Sequence, residues 1–124
     1  MVKKDTDELY EGDTQCYRWE VTHGPCGTPV LLTEVSTITA TLRDEESGNI
    51  VNSRNAQNVK NANNGTYANG YFDFALQALD TTFQVAANDQ ETHVLEVKLT
   101  QTDAQVRTLH LEIVCLRRPA AAGS

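Results

Sequence analysis

Apolar and polar residues alternate along this chain in short runs, and turn residues separate the runs. The longest pair of runs lies within residues 91–117. There Leu95, Val97 and Leu99 alternate with Val94, Glu96 and Lys98. Leu109, Leu111, Ile113 and Cys115 then alternate with His110, Glu112 and Val114. A period of two places each set on one face of a β-strand. The polar link at residues 101–105 has the length of a hairpin connection, so the stretch predicts an antiparallel hairpin with one buried face.

Three further runs share the period. Residues 14–22 put Tyr17, Trp19 and Val21 on one face and Cys16, Arg18 and Glu20 on the other. Residues 37–43 put Ile38, Ala40 and Leu42 inside, with Thr37, Thr39, Thr41 and Arg43 outside on a pleated, solvated surface. Residues 71–76 put Phe72, Phe74 and Leu76 inside. The only tryptophan, Trp19, is expected in the core, where a single large ring carries much of the burial of a small domain. Turn residues fall between the runs at Gly12-Asp13, residues 23–29 (HGPCGTP), residues 44–49 (DEESGN) and residues 88–90. Leu9 and Tyr10 suggest a short edge strand, and Ile50 and Val51 begin the return strand of a hairpin. Residues 52–69 are rich in Asn and Ala, with Val59 and Tyr67 as their main apolar anchors. They predict one short irregular strand and a mobile loop around residues 63–65. Residues 79–87 fit a loop, a short strand or a helical turn, with Phe83 and Val85 as core contacts. Short strands with turns between them predict an antiparallel all-β fold, a sandwich or a barrel.

A length of 124 residues corresponds to one domain. With 40% hydrophobic and 22% charged residues, a folded rather than a disordered chain is expected. The net charge of −7 removes the electrostatic drive toward nucleic acid or an anionic membrane surface. Apolar runs such as residues 30–32 and 113–116 are far too short to span a bilayer. Residues 1–11 hold two lysines but no apolar segment of a secretory signal. The expectation is a water-soluble domain that is not exported, with Cys16, Cys26 and Cys115 as reduced thiols.

Candidate chemistry is sparse. Cys16, His23, Cys26, His110 and Cys115 lack the close spacing of a structural metal site. The acidic groups Asp5, Asp7, Glu8, Asp44, Glu45 and Glu46 fall in a terminus and a turn, and read as solvated charge. His93 reads as a rim residue at a strand start. There is no Gly-x-Ser-x-Gly elbow and no Gly-rich phosphate loop. Asn64-Gly65-Thr66 matches a glycosylation sequon but reads better as a turn. No catalytic, cofactor-binding or metal-ligating residue is assigned, no cofactor is implied, and no enzyme is expected.

The order of turn and strand signals carries a resemblance. Gly12-Asp13-Thr14 precedes the Tyr17/Trp19/Val21 strand. Gly27-Thr28-Pro29-Val30 with Leu32-Thr33 leads to residues 37–44 (TITATLRD) and the Ser47-Gly48 turn. This pattern, across residues 9–117, resembles the small immunoglobulin-like β-sandwich proteins of tailed-phage virions. It is similar to the N-terminal domain of the phage baseplate upper protein and to accessory proteins of neck, tail and capsid surface. The resemblance implies an antiparallel sandwich of about seven strands and a non-enzymatic role in attaching to or decorating other virion proteins. It also implies symmetric multiple copies in a particle assembled in the host cytoplasm, with neither nucleic acid nor membrane as partner. Residues 52–69 and the Pro25-Cys26 step depart from the pattern. Residues 1–8 are expected as a flexible or partner-ordered arm, residues 9–118 as the sandwich and residues 119–124 as a disordered tail. The alternative is a carbohydrate-binding or adhesion module, for which Tyr10, Tyr67 and Tyr71 are the available aromatics.

Overall fold

A computed structural model describes residues 4–25 and 27–117. Eight strands form the fold: β1 (Lys4–Tyr10), β2 (Gln15–Glu20), β3 (Val35–Asp44), β4 (Gln57–Asn58), β5 (Gly65–Ala68), β6 (Tyr71–Leu76), β7 (Gln90–Gln101) and β8 (Val106–Leu116). Two single turns of 3-10 helix, Leu32–Glu34 and Ala78–Asp80, complete it. One sheet has the order β1-β8-β7-β3-β4 and the other β2-β6-β5. All pairings are antiparallel except that of β1 with β8. This is an all-β sandwich with immunoglobulin-like strand order: β2, β6 and β5 face a sheet whose centre is β8, β7 and β3. The strand count is eight, one more than the sequence suggested.

The alternating faces meet in one core. Ile38, Ala40 and Leu42 of β3, Leu95, Val97 and Leu99 of β7, and Leu111, Ile113 and Cys115 of β8 are buried from one side. Trp19, Phe72, Phe74 and Leu76 close it from the other. Trp19 stacks on Phe72 at 5.8 Å between ring centres, and Phe72 on Phe74 at 6.4 Å. In the β7–β8 hairpin Leu95 pairs with Leu111 and His93 with Ile113, so its buried residues share one face.

Two expectations change. The sequence pattern predicts a flexible or partner-ordered arm at residues 1–8, but Lys4–Tyr10 form an edge strand in register with His110–Leu116. Leu9 packs on the core, and the Tyr17 hydroxyl donates to Asp7 at 2.8 Å. Residues 1–3 and the expected tail at 119–124 lie outside the described residues, as does Cys26. The Asn-rich stretch holds two short strands, β4 and β5, where one is expected, and residues 59–64 join them through turns. Val51, Val59 and Tyr67 are buried, and so is Arg54. Asn52, Asn61, Asn63 and Asn64 have φ between 50° and 75°, a left-handed conformation that Asn adopts more readily than other non-glycine residues. Their number reflects a chain that turns often, and local hydrogen bonds hold the turns. Asn61 Oδ1 accepts from the Tyr67 amide at 2.7 Å, and Asn63 Nδ2 donates to the Asn58 carbonyl at 2.8 Å. Residues 81–89 join the Ala78–Asp80 turn to β7 without a strand of their own.

Candidate functional site

The inward face of β7 does not stop at its leucines. Stepping back by two from Leu95 reaches His93 and then Glu91, and both are buried. Stepping forward by two from Leu42 on β3 reaches Asp44, also buried, and directly opposite His93 in the register. Three titratable groups therefore sit at one end of the core. His93 is wholly enclosed, which corrects its reading as a rim residue. Asp44 is 1% exposed, which corrects its reading as solvated turn charge.

The partners of each group are specific. His93 Nδ1 lies 2.8 Å from the Asp80 carbonyl oxygen, which can only accept, so Nδ1 carries a proton. His93 Nε2 lies 2.9 Å from Glu91 Oε1, with one proton between them. Glu91 Oε1 also accepts from the Gln84 amide, and Oε2 accepts from the Val85 amide and from Asn88 Nδ2. Burial raises the Glu91 carboxyl, but the hydrogen bonds from Gln84, His93, Val85 and Asn88 outweigh it and hold the group below its ordinary value. Asp44 Oδ2 accepts from the Ser47 hydroxyl at 2.7 Å. Asp44 Oδ1 has no hydrogen-bond partner among the described residues. The Cys115 thiol stands 3.6 Å from His93 Nδ1. Burial first, then the charges of Glu91 and Asp44, push it up to about 12.

A second polar group adjoins through Asp80. Its carboxylate takes a two-pronged bond from Arg54, Nε to Oδ1 at 2.6 Å and Nη2 to Oδ2 at 3.0 Å. Both side chains are sealed, at 2% and 0% exposure. Gln57 and Gln77 accept from the remaining guanidinium N–H groups, and the guanidinium lies over the Phe74 ring. Arg117 fixes the loop at residues 81–89 from outside. It bonds to the carbonyls of Ala86 and Asn88 and lies 4.1 Å above the Phe83 ring. The loop is thus drawn onto Glu91 from within and Arg117 from without.

The other candidates are scattered. His23 pairs with Glu34 at 2.7 Å and His110 with Glu96 at 3.2 Å, both toward solvent. Cys16 is an exposed free thiol on β2, and Cys115 is a buried one on β8. Tyr67, offered as a ligand platform, is buried with its hydroxyl donating to the Val30 carbonyl at 2.6 Å. Tyr71 and Tyr10 are exposed, and Arg18 lies over the Tyr71 ring.

The open side of the sandwich runs between β1 and β2, both edge strands. A groove of about 320 Å³ lies there, lined by Thr6, Asp7, Tyr17, Arg18, Trp19 and Leu111. Beyond the start of β1, residues 106–109 of β8 border a second groove of about 460 Å³ facing Glu20, Val21 and Gly24. No protein-family model matches the chain, and no curated protein matches it.

Proposed function

We propose that this protein is a non-enzymatic structural module of a tailed-phage virion, which attaches to or decorates other virion proteins of neck, tail, baseplate or capsid surface. The observation that carries this reading is the open side of the sandwich, where the unpaired edges of β1 and β2 flank one groove and the end of β2 faces β8 across a second. Exposed edges favour partners that add a strand or lay a segment between the sheets. The turn and strand pattern at residues 12–48 supports the virion context, through its resemblance to small phage sandwich proteins. Virion parts are symmetric, so several copies per particle are expected. A net charge of −7 agrees with protein partners rather than nucleic acid or membrane. A role without catalysis agrees with a histidine sealed in the core and two others tied to surface carboxylates.

The test is stoichiometric. Quantitative mass spectrometry of density-purified particles from the phage that carries the gene should find the chain at a fixed multiple of the particle symmetry. Particles that lack the chain, together with an amber mutant that assembles and infects normally, would overturn the reading. A carbohydrate-binding module is the alternative. It is favoured by a shallow groove of about 210 Å³ where exposed Tyr71 meets Glu20 and Thr22. Binding on a glycan array that is lost in Tyr71→Ala would select it.

A further inference from the structure

We propose that Asp44, Glu91 and His93 form a site for a first-row divalent cation, with Asp44 Oδ1, Glu91 Oε1 and His93 Nε2 as ligands. One donor atom from each of these residues lies within 4.8 Å of the other two. Oxygen and nitrogen ligands sit about 2.0–2.2 Å from zinc, so side chains already this close draw in around an ion by rotamer adjustment.

One observation points to an ion. Asp44 Oδ1 is buried and has no donor among the described residues. A buried carboxylate oxygen left without a counter-charge is unfavourable. The nearby buried cation, Arg54, is already committed to Asp80.

The far side of each ligand is also anchored. His93 Nδ1–H donates to the Asp80 carbonyl, the bond a metal-binding imidazole makes through its other nitrogen. Val85 and Asn88 hold Glu91 Oε2, and Ser47 holds Asp44 Oδ2. Glu91 Oε1 keeps the Gln84 amide as a donor and turns its remaining lone pair, with Asp44 Oδ1 and His93 Nε2, to the common point. Two carboxylates with an imidazole suit zinc or manganese better than calcium or magnesium. Binding displaces the proton between Nε2 and Oε1 to solvent. The ion would clamp β3, β7 and the loop at residues 81–89 together.

The experiment uses the full chain stripped with EDTA, then titrated separately with Zn²⁺, Mn²⁺, Mg²⁺ and Ca²⁺ by calorimetry and thermal melting. One equivalent of Zn²⁺ or Mn²⁺ is expected to bind and raise Tm. The Asp44→Asn variant keeps the shape but not the charge, and is expected to bind at least about tenfold more weakly. His23→Gln, at the surface His23–Glu34 pair, is expected to bind as the wild type does. If Asp44→Asn does not fold, ¹⁵N spectra of the wild-type His93 ring decide, because Nε2 must lose its proton at saturating Zn²⁺. No binding of any of the four ions, equal binding by Asp44→Asn, or a His93 ring that keeps both protons would overturn the site.

Discussion

At the residue scale, the side chains that decide this core's polar end are those least expected inside it. Arg54 and Asp80 are fully enclosed and share two hydrogen bonds, while Gln57, Asn63 and Gln77 accept from the rest of Arg54 and Asn52 and the Gln77 amide donate to Asp80. A buried pair of this kind adds little net stability over an apolar pair, yet breaking it strands a charge. Arg54→Leu is therefore expected to destabilise the fold by about 3–5 kcal/mol in urea titrations. Arg54→Leu with Asp80→Asn should recover about half of that loss, since the stranded charge is gone. Equal losses in the single and double variants would mean that Arg54 acts through its packing on Phe74 instead. Cys115 offers a pH test. Its thiol is raised to about 12, so it stays protonated and unreactive through the range where an ordinary thiol becomes nucleophilic. Peptide mapping after iodoacetamide at pH 9 should find exposed Cys16 alkylated and Cys115 alkylated only in denaturant. Modification of Cys115 in the native protein at pH 9 would show that the β8 end opens readily.

At the scale of elements, the period of two was sufficient where side chains were apolar. It located β6 at its observed bounds and β2, β3 and the β7–β8 hairpin within a few residues. The same period extended by one or two steps would have reached Asp44, His93 and Glu91. Their polarity argued against burial, and a period says nothing of the partner that makes a polar residue tolerable inside. Three of the hydrogen bonds of Glu91 come from residues 84–88, and no periodicity announces a loop folded over a carboxylate. The Asn-rich stretch holds one strand more than its apolar pattern predicts, for a related reason. Its order comes from Arg54 at its centre and from asparagines in left-handed turns, whereas an apolar count registers only Val59 and Tyr67. Hydrogen exchange separates these accounts. The amides of Val59 and Tyr67, bonded to the Ile38 carbonyl and to Asn61 Oδ1, should be slow to exchange in the isolated protein. Exchange of both at the rate of an unstructured peptide would restore the mobile loop.

At the scale of the whole molecule, the parallel edge strand β1 is the element whose removal changes what the sandwich can do. It contributes seven register pairs to β8 but few buried side chains, with Leu9 as its main apolar contact. The remaining strands of its sheet, β8-β7-β3-β4, stay paired without it. A chain lacking residues 1–10 is therefore expected to fold, with a lower Tm, since the Tyr17–Asp7 bond and the Leu9 contact are lost. It would also bare the edge of β8 from His110 to Leu116, a row of backbone groups that seeks a partner. Two outcomes should follow together. Light scattering should show concentration-dependent self-association of the truncated chain, with the full chain monomeric under the same conditions. A synthetic peptide of residues 4–11 should bind the truncated chain, return it to a monomer and restore part of the Tm, whereas a scrambled peptide should do neither. If the truncated chain stays monomeric, melts as the full chain does and ignores the peptide, then β1 lies on β8 without holding it. In that event the edge used for assembly is β2, and the strand-addition surface of the proposed virion role moves to Gln15–Glu20.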